Sequence, residues 1–107
     1  MARNFCKLEV FVPVEYAEKV KNALGEAGAG RLGNYDFCFW QSEGTGQFRP
    51  LAGSDPFIGK TGEIEHVCEV KIETIFPTEK KSEIIAAIRA SHPYETPAYY
   101  ITRLIME

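Results

Sequence analysis

The segment ASHPYETPAYY, residues 90–100, holds the side chains of this sequence that are best suited to chemistry. It places His92, Tyr94 and Glu95 within four residues of one another. A histidine nitrogen and a glutamate carboxylate can bind a divalent metal, and a tyrosine hydroxyl can donate a hydrogen bond to a ligand. The segment therefore predicts a metal site at His92 and Glu95, and a ligand site that includes Tyr94 and Glu95.

The same segment also has a structural interpretation. Pro93 cannot continue a helix, and it biases His92 toward extended backbone, as Pro97 does for Thr96. HPYETP would then end a helix, form a rigid corner and begin a strand. Two protein ligands make a weak metal site, so the sequence alone leaves both interpretations open.

A second candidate is the glycine-rich segment SEGTGQFRPLAGSDPFIGKTG, residues 42–62. Its glycines permit close backbone approach to a ligand, and Arg49 could bind an anion. Phe48, Leu51 and Phe57 favour instead a packed loop or a hairpin extension that docks on a neighbouring subunit. Loops of this length are usually functional or disordered, and these apolar residues argue for packing. Contacts between subunits would bring Asp36, Cys38 or His66 to the site at His92 and Glu95, and Asp36 is therefore included among the predicted ligand-binding residues.

Other segments match chemical motifs, but their position in the predicted structure argues against the corresponding function. GAGRLG, residues 28–33, matches G-x-G-x-x-G, but it follows a predicted helix and precedes a predicted strand. A dinucleotide site needs the opposite order, so these glycines predict a helix-terminating loop. Cys6 and Cys68 fall on apolar strand faces, and we expect both to be small buried hydrophobic residues. No residue pattern marks a catalytic nucleophile, and no catalytic residue is predicted.

Alternating and helical apolar patterns place these segments on a small scaffold. Strands are predicted over residues 5–13, 37–42, 66–76 and 98–106. Helices are predicted from residue 14 to a glycine at 25 or 28, and from Thr78, the expected N-cap, through a stripe of isoleucines. A long loop separates the second and third strands.

The element order β-α-β-β-α-β predicts the α+β class and the ferredoxin-like fold. In this fold two helices cover one face of a four-stranded antiparallel sheet, with the first and third strands adjacent at its centre. The open face would then place Lys7 and Glu9 against Glu69, Lys71 and Glu73, so that opposite charges pair across those strands. That polar face is either solvated or packed against other subunits.

Length and charge restrict the function. The 107 residues predict a single domain, residues 1–107. A net charge of −3 argues against nucleic-acid and anionic-membrane partners, which require a surplus of Lys and Arg. The start of the chain lacks the apolar core of a signal peptide, and three cysteines without C-x-x-C spacing fit reduced thiols. These features predict a cytoplasmic protein.

Three stretches of the sequence resemble a known family. KLEVFVP, residues 27–73 and ASHPYETPAYYI resemble the inserted domain of the NGG-one-interacting-factor-three family, the GTP cyclohydrolase type 2-like proteins. HPYE-x-P also resembles the CutA family, which has a PII-like, ferredoxin-like architecture. The resemblance implies this fold, a homotrimer, and capture of a ligand or metal at subunit clefts. It does not carry over the family's hydrolase chemistry, which depends on a metal-binding core that this sequence lacks.

These observations favour a small oligomeric module that binds a ligand, a metal or a partner protein at subunit clefts without catalysis. One alternative is a metal-assisted hydrolase whose site is shared between subunits. Another is a purely structural oligomerisation module. The cofactor implied, if any, is a divalent metal at His92 and Glu95.

Overall fold

Strands and helices follow one another in the predicted order. A computed structural model describes residues 4–106. The strands are β1 (Phe5–Pro13), β2 (Trp40–Phe48), β3 (Glu65–Pro77) and β4 (Tyr99–Leu104). The helices are α1 (Ala17–Glu26) and α2 (Lys81–Ser91), and short 3₁₀ turns lead into them at Val14–Tyr16 and Thr78–Lys80. The sheet order is β2-β3-β1-β4 with antiparallel neighbours, which confirms the ferredoxin-like α+β fold.

The core lies between one face of the sheet and the two helices. Apolar residues alternate along β1, so that Leu8, Val10 and Val12 are fully buried while the residues between them are partly exposed. The central strands and both helices contribute the other large buried side chains, which are Val20, Leu24, Val70, Ile72, Phe76, Ile84 and Ile88. Burying side chains of this size stabilises the fold by about 1.5–3 kcal/mol each before the entropic cost of ordering them.

The opposite face of the central strands carries ion pairs. Lys7 Nζ lies 2.8 Å from a Glu73 carboxylate oxygen, and Lys71 Nζ lies 3.6 Å from Glu9. The Lys7 hydrogen bond lowers the pKa of Glu73, and the same bond raises the pKa of Lys7. The predicted cross-strand charge pairing is confirmed on this face.

The second strand differs from its prediction. It begins at Trp40 rather than at residue 37, and it continues to Phe48 through the first part of the predicted loop. Glycine-rich sequence has little intrinsic preference for a strand, but pairing with β3 from Trp40↔Glu73 to Phe48↔Glu65 supplies the missing stabilisation. The true connection is residues 49–64, called the hairpin tip below.

The burial of Cys68 was predicted wrongly, whereas that of Cys6 is confirmed. β1 pairs with β3 only as far as Pro13↔Glu69, so Cys68 lies where β3 has β2 as its single neighbour. Apolar alternation in a sequence identifies a face, but it does not show how far the covering layer extends along it.

Helix termini give one correction and one confirmation. Thr78 was expected to cap α2, but it begins the 3₁₀ turn, and its hydroxyl lies 3.4 Å from Cys6 Sγ instead. α1 ends at Glu26, and Gly28 follows with a φ of 106°, a backbone conformation that glycine adopts at little cost. Within residues 4–106, neither helix is long and apolar enough to cross a membrane.

The loop after α1 is fixed to β3 through Gly30. Its N–H donates to Ile75 O at 2.8 Å, and its carbonyl accepts from Cys38 N–H at 2.9 Å. The φ of Gly30 is 81°, and a Cβ there would lie 2.8 Å from Cys38 N. Glycine is required here because both the conformation and the close backbone approach exclude a side chain.

Gly30→Ala is expected to lower the free energy of unfolding by about 2 kcal/mol or more, because alanine meets both penalties. Urea denaturation measures this change. Gly44→Ala is the matched control, since nothing lies within 4 Å of a Cβ there and its φ is not positive. Its effect should stay within about 0.5 kcal/mol. Equal losses in the two variants would contradict this assignment.

Candidate functional site: a cleft between the hairpin tip and the HPYETP corner

The hairpin tip folds back over the segment that joins α2 to β4, residues 92–97, called the corner. Asp55 N–H donates a hydrogen bond of 2.7 Å to Glu95 Oε2. The Phe57 ring meets the Tyr16 ring edge-on, with centroids 5.6 Å apart. These contacts show that the tip packs within its own chain, as its apolar residues indicated.

A cleft of about 510 Å³ lies between the tip, the corner and the sheet. This volume falls in the range of small-molecule sites, about 300–1,000 Å³. Its wall is mostly apolar, formed by Phe11, Phe48, Pro50, Leu51, Pro56, Phe57, Ile58, Ala98 and Tyr100. Its charged lining residues are Arg49, Glu69 and Glu95. Uncharged side chains that can form hydrogen bonds are those of Gln47, Ser54, Tyr94, Thr96 and Tyr100.

His92 is buried beneath the corner, and the residue is only 6% exposed. Its backbone is extended at φ −81° and ψ 136°, as Pro93 predicts. Nε2 lies 2.6 Å from Phe11 O, and Nδ1 accepts the Tyr94 N–H at 3.1 Å. Because a carbonyl can only accept, the proton is on Nε2, and both ring nitrogens are engaged.

Burial lowers the pKa of His92, and the hydrogen bond to Phe11 together with the nearby Glu69 carboxylate opposes this effect. Desolvation disfavours the imidazolium. A proton on Nδ1 would also face the Tyr94 N–H. His92 is therefore neutral in the folded corner.

Tyr94 connects the corner to the sheet. Its hydroxyl donates a hydrogen bond of 2.9 Å to Glu69 Oε2, and its ring packs against Phe48 with centroids 5.7 Å apart. Burial, reinforced by the Glu69 carboxylate, raises the pKa of Tyr94. The phenol therefore stays protonated and remains a donor to Glu69.

The structure brings three of the predicted site residues to the cleft: Arg49, Tyr94 and Glu95. Asp36 is not among the lining residues; it lies in the loop before β2, where its carbonyl accepts from the Cys38 thiol at 3.7 Å. His92 lies behind Tyr94, with ring centroids 5.0 Å apart, rather than in the cleft wall.

The metal at His92 and Glu95 stays a prediction. His92 would have to give up the Phe11 or the Tyr94 hydrogen bond to bind it, and Glu95 already holds the tip. Residues 4–106 contain no group of three His, Cys, Asp or Glu side chains arranged to hold a metal ion.

Glu69 is a residue of the cleft lining that the sequence did not identify as a candidate. Strand alternation predicts it on the polar face with Lys71 and Glu73, either solvated or packed against other subunits, but it is only 9% exposed within its own chain. Gly46 gives the available signal, because a Cβ there would overlap the Glu69 carboxylate. Glycine inside a strand often marks such a close approach.

The state of His92 predicts a pH dependence of stability. Its folded pKa lies below the ordinary value of 6.5, so the unfolded chain takes up a proton first as pH falls below 6.5. The contribution of His92 to the free energy of unfolding should therefore be fully present above pH 6.5. It should decrease as the pH falls from 6.5 to the folded pKa. Urea titrations between about pH 8 and 5 measure this slope.

His92→Gln should abolish that slope, whatever its effect on stability at pH 8. His66→Gln is the control, because His66 is exposed on β3 and lies 3.1 Å from Gln47 rather than in the corner. It should retain the slope of the unmodified protein. An unchanged slope in the His92 variant would show that other groups cause it.

In comparison with known sequences, this chain matches one part of longer proteins. It is 52% identical over 101 residues to the GTP cyclohydrolase 1 type 2 homolog of Halalkalibacterium halodurans, a match that covers 94% of this chain and 27% of that protein. The Bacillus subtilis homolog is 54% identical over 95 residues, with 89% of this chain and 26% of that protein covered. The chain thus spans about a quarter of the length of these relatives. No family model matches it.

Solved structures give the same assignment. A Bacillus cereus protein related to NIF3 is 46% identical with a TM-score of 0.83, over 97% of this chain and 26% of that one. The divalent ion tolerance protein CutA1 of Ehrlichia chaffeensis has a TM-score of 0.69 at 21% identity, over 100% and 87% of the two chains, and shares the fold. The GlnK structure from B. subtilis has a TM-score of 0.57 at 17% identity, over 94% and 85%. The predicted resemblance is confirmed: this chain is a homologue of one segment of the NIF3-related GTP cyclohydrolase 1 type 2 homologs, and it has the CutA- and PII-like fold.

Proposed function

We propose that this chain is a self-associating, non-catalytic module that binds a small molecule in the cleft between the hairpin tip and the corner. The observation that carries the proposal is the cleft itself, an apolar concavity of about 510 Å³ into which a few polar groups converge. Such a combination is the usual form of a ligand site. The cleft lies within one chain, whereas the sequence favoured a site at subunit boundaries.

The position of the polar groups supports binding over mere packing. Tyr94 and Glu69 lie at the wall formed by the corner and β3, where burial strengthens their hydrogen bonds to a ligand. Arg49 is exposed on the tip side and would meet a polar group of the ligand near solvent. The metal-assisted hydrolase has no comparable support among residues 4–106, and no second function is proposed.

Binding can be tested with 4-phenylbutan-1-ol, a neutral probe with an apolar body. We expect saturable shifts of the backbone amide NMR signals of Phe48, Leu51, Tyr94 and Tyr100, which line the cleft. Ala98→Trp fills the cleft and should weaken binding at least about tenfold, as losing about 1.4 kcal/mol of contact would. Ala90→Trp, on the exposed surface of α2, is the matched control and should bind normally. Equal affinity in both variants, or no saturable shifts, would refute the cleft as the site.

Self-association rests on a separate observation. β2 forms an edge of the sheet, and most of its residues are exposed, including Trp40 at 71%. An edge strand leaves backbone donors and acceptors unpaired, and a large exposed aromatic beside it favours a protein contact. The resemblance to CutA proteins implies a trimer.

Native mass spectrometry tests the trimer directly. With a chain mass of 12.0 kDa, the expected species has three times that mass. It should persist on dilution to low micromolar concentration. A species of 12.0 kDa alone would refute self-association and leave the intrachain cleft unaffected.

A further inference from the structure

The wall of the cleft contains a carboxylate that is buried without a cation. Glu69 is 9% exposed, and its Oε2 accepts the Tyr94 hydroxyl at 2.9 Å. Among residues 4–106, no lysine, arginine or histidine forms an ion pair with the Glu69 carboxylate. Burying a charge in this way is costly unless a partner compensates for it.

Lys71, the cation next to Glu69 on β3, forms ion pairs with other carboxylates. Lys71 lies two residues from Glu69 on the same strand face, but its Nζ is 3.6 Å from Glu9 and 4.0 Å from Glu73. Arg49 is the single cation among the lining residues of the cleft, against the two carboxylates of Glu69 and Glu95. The cleft wall therefore has a negative balance, with its buried charge at Glu69.

Gly46 leaves room for that carboxylate. A Cβ at this position would overlap the Glu69 carboxylate, so only glycine permits the side chain to lie flat against β2. In this position Glu69 lines both the main cleft and an adjoining depression of about 340 Å³ on the open face of the sheet. Its charge is thus accessible from the cleft although most of its surface is covered.

Aromatic rings surround the same region. Phe48 and Tyr94 pack edge-on beside Glu69, and Phe11 and Tyr100 form a second edge-on pair with centroids 5.9 Å apart. Ring faces attract cations, and aromatic walls combined with a carboxylate are the usual environment for an organic ammonium group. A neutral or anionic group would leave the Glu69 charge uncompensated.

We propose that the ligand of this cleft is an organic amine, whose ammonium group pairs with Glu69 between the aromatic rings and whose apolar body lies along Leu51, Phe57 and Ile58. This inference rests on the proposed cleft function and specifies its ligand class. The hydroxyl of Tyr94 fixes Glu69 Oε2, which leaves Oε1 for the ammonium group. Arg49, exposed at the tip, accommodates a polar or anionic group at the other end of the ligand.

Three probes that differ only in their end group test this assignment: 4-phenylbutylamine, 4-phenylbutan-1-ol and 4-phenylbutyrate. At pH 7 they carry a positive charge, no charge and a negative charge. Isothermal titration calorimetry should give the amine at least about tenfold tighter binding than the alcohol, and the carboxylate the weakest, because a charge-assisted hydrogen bond adds to a cation–π contact.

Glu69→Gln should bring the amine and the alcohol to within about twofold of each other while leaving alcohol binding intact, because the amide keeps its size and still accepts from Tyr94. Glu63→Gln, an equal charge change at an exposed tip residue outside the lining, should keep the tenfold preference. Thermal melts confirm that both variants are folded.

The outcomes separate the two proposals. Alcohol binding without a preference for the amine, or a preference that survives Glu69→Gln, overturns the amine assignment and leaves the cleft function standing. If 4-phenylbutyrate binds most tightly of the three probes and Arg49→Gln abolishes that binding, the amine assignment is overturned in favour of an anionic ligand. No binding of any probe removes the cleft function together with its ligand class.

Discussion

The third strand pairs with its two neighbours over different lengths, and this offset determines where the rest of the molecule can form a site. β1 follows β3 from Pro77 only to Glu69, whereas β2 follows it from Glu73 out to Glu65. The β2–β3 hairpin therefore continues beyond the end of β1. The hairpin tip returns over the corner, and the space enclosed between them is the cleft. Glu69 sits at the last rung of β1 and consequently belongs to both the sheet and the site.

Near that rung several polar side chains are buried, and their hydrogen bonds must be made within the protein. His92, Tyr94 and Glu69 connect the end of α2, the carbonyl of Phe11 and the third strand through hydrogen bonds of 2.6–3.1 Å. Each group has its role fixed by its neighbour: a neutral imidazole, a protonated phenol and a buried carboxylate. Pro93 supplies the extended backbone that places them. The corner is thus a structural element and, through Tyr94, also a wall of the cleft.

Local sequence patterns predicted the parts of this arrangement that depend on local chemistry. The alternation around Leu8 and the pairing of Lys7 with Glu73 follow from strand geometry, and the proline effect on His92 follows from backbone sterics. The extent of β2 did not, because a strand with Gly44 and Gly46 owes its conformation to its partner. The burial of Glu69 and the exposure of Cys68 depend on the same strand offset, which is a tertiary property. Of the five predicted site residues, Arg49, Tyr94 and Glu95 line the cleft, whereas Asp36 and His92 do not. Which of them meet depends on how the hairpin tip and the corner pack, and a local sequence pattern does not contain that information.

The way the tip is attached has a consequence for motion. Within residues 49–64 no sheet ladder ties the tip to the domain. The tip is held by the hydrogen bond from the Asp55 backbone N–H to the Glu95 carboxylate and by the contact between the Phe57 and Tyr16 rings. Opening the tip would leave β1, β3 and the packed helix faces intact, so its free energy of local opening is a fraction of that of global unfolding. We therefore expect the amides of the tip to exchange as a separate unit that opens independently of the core. A ligand that enters through such an opening and is then enclosed would dissociate slowly, because the contacts of Asp55 with Glu95 and of Phe57 with Tyr16 would have to break again.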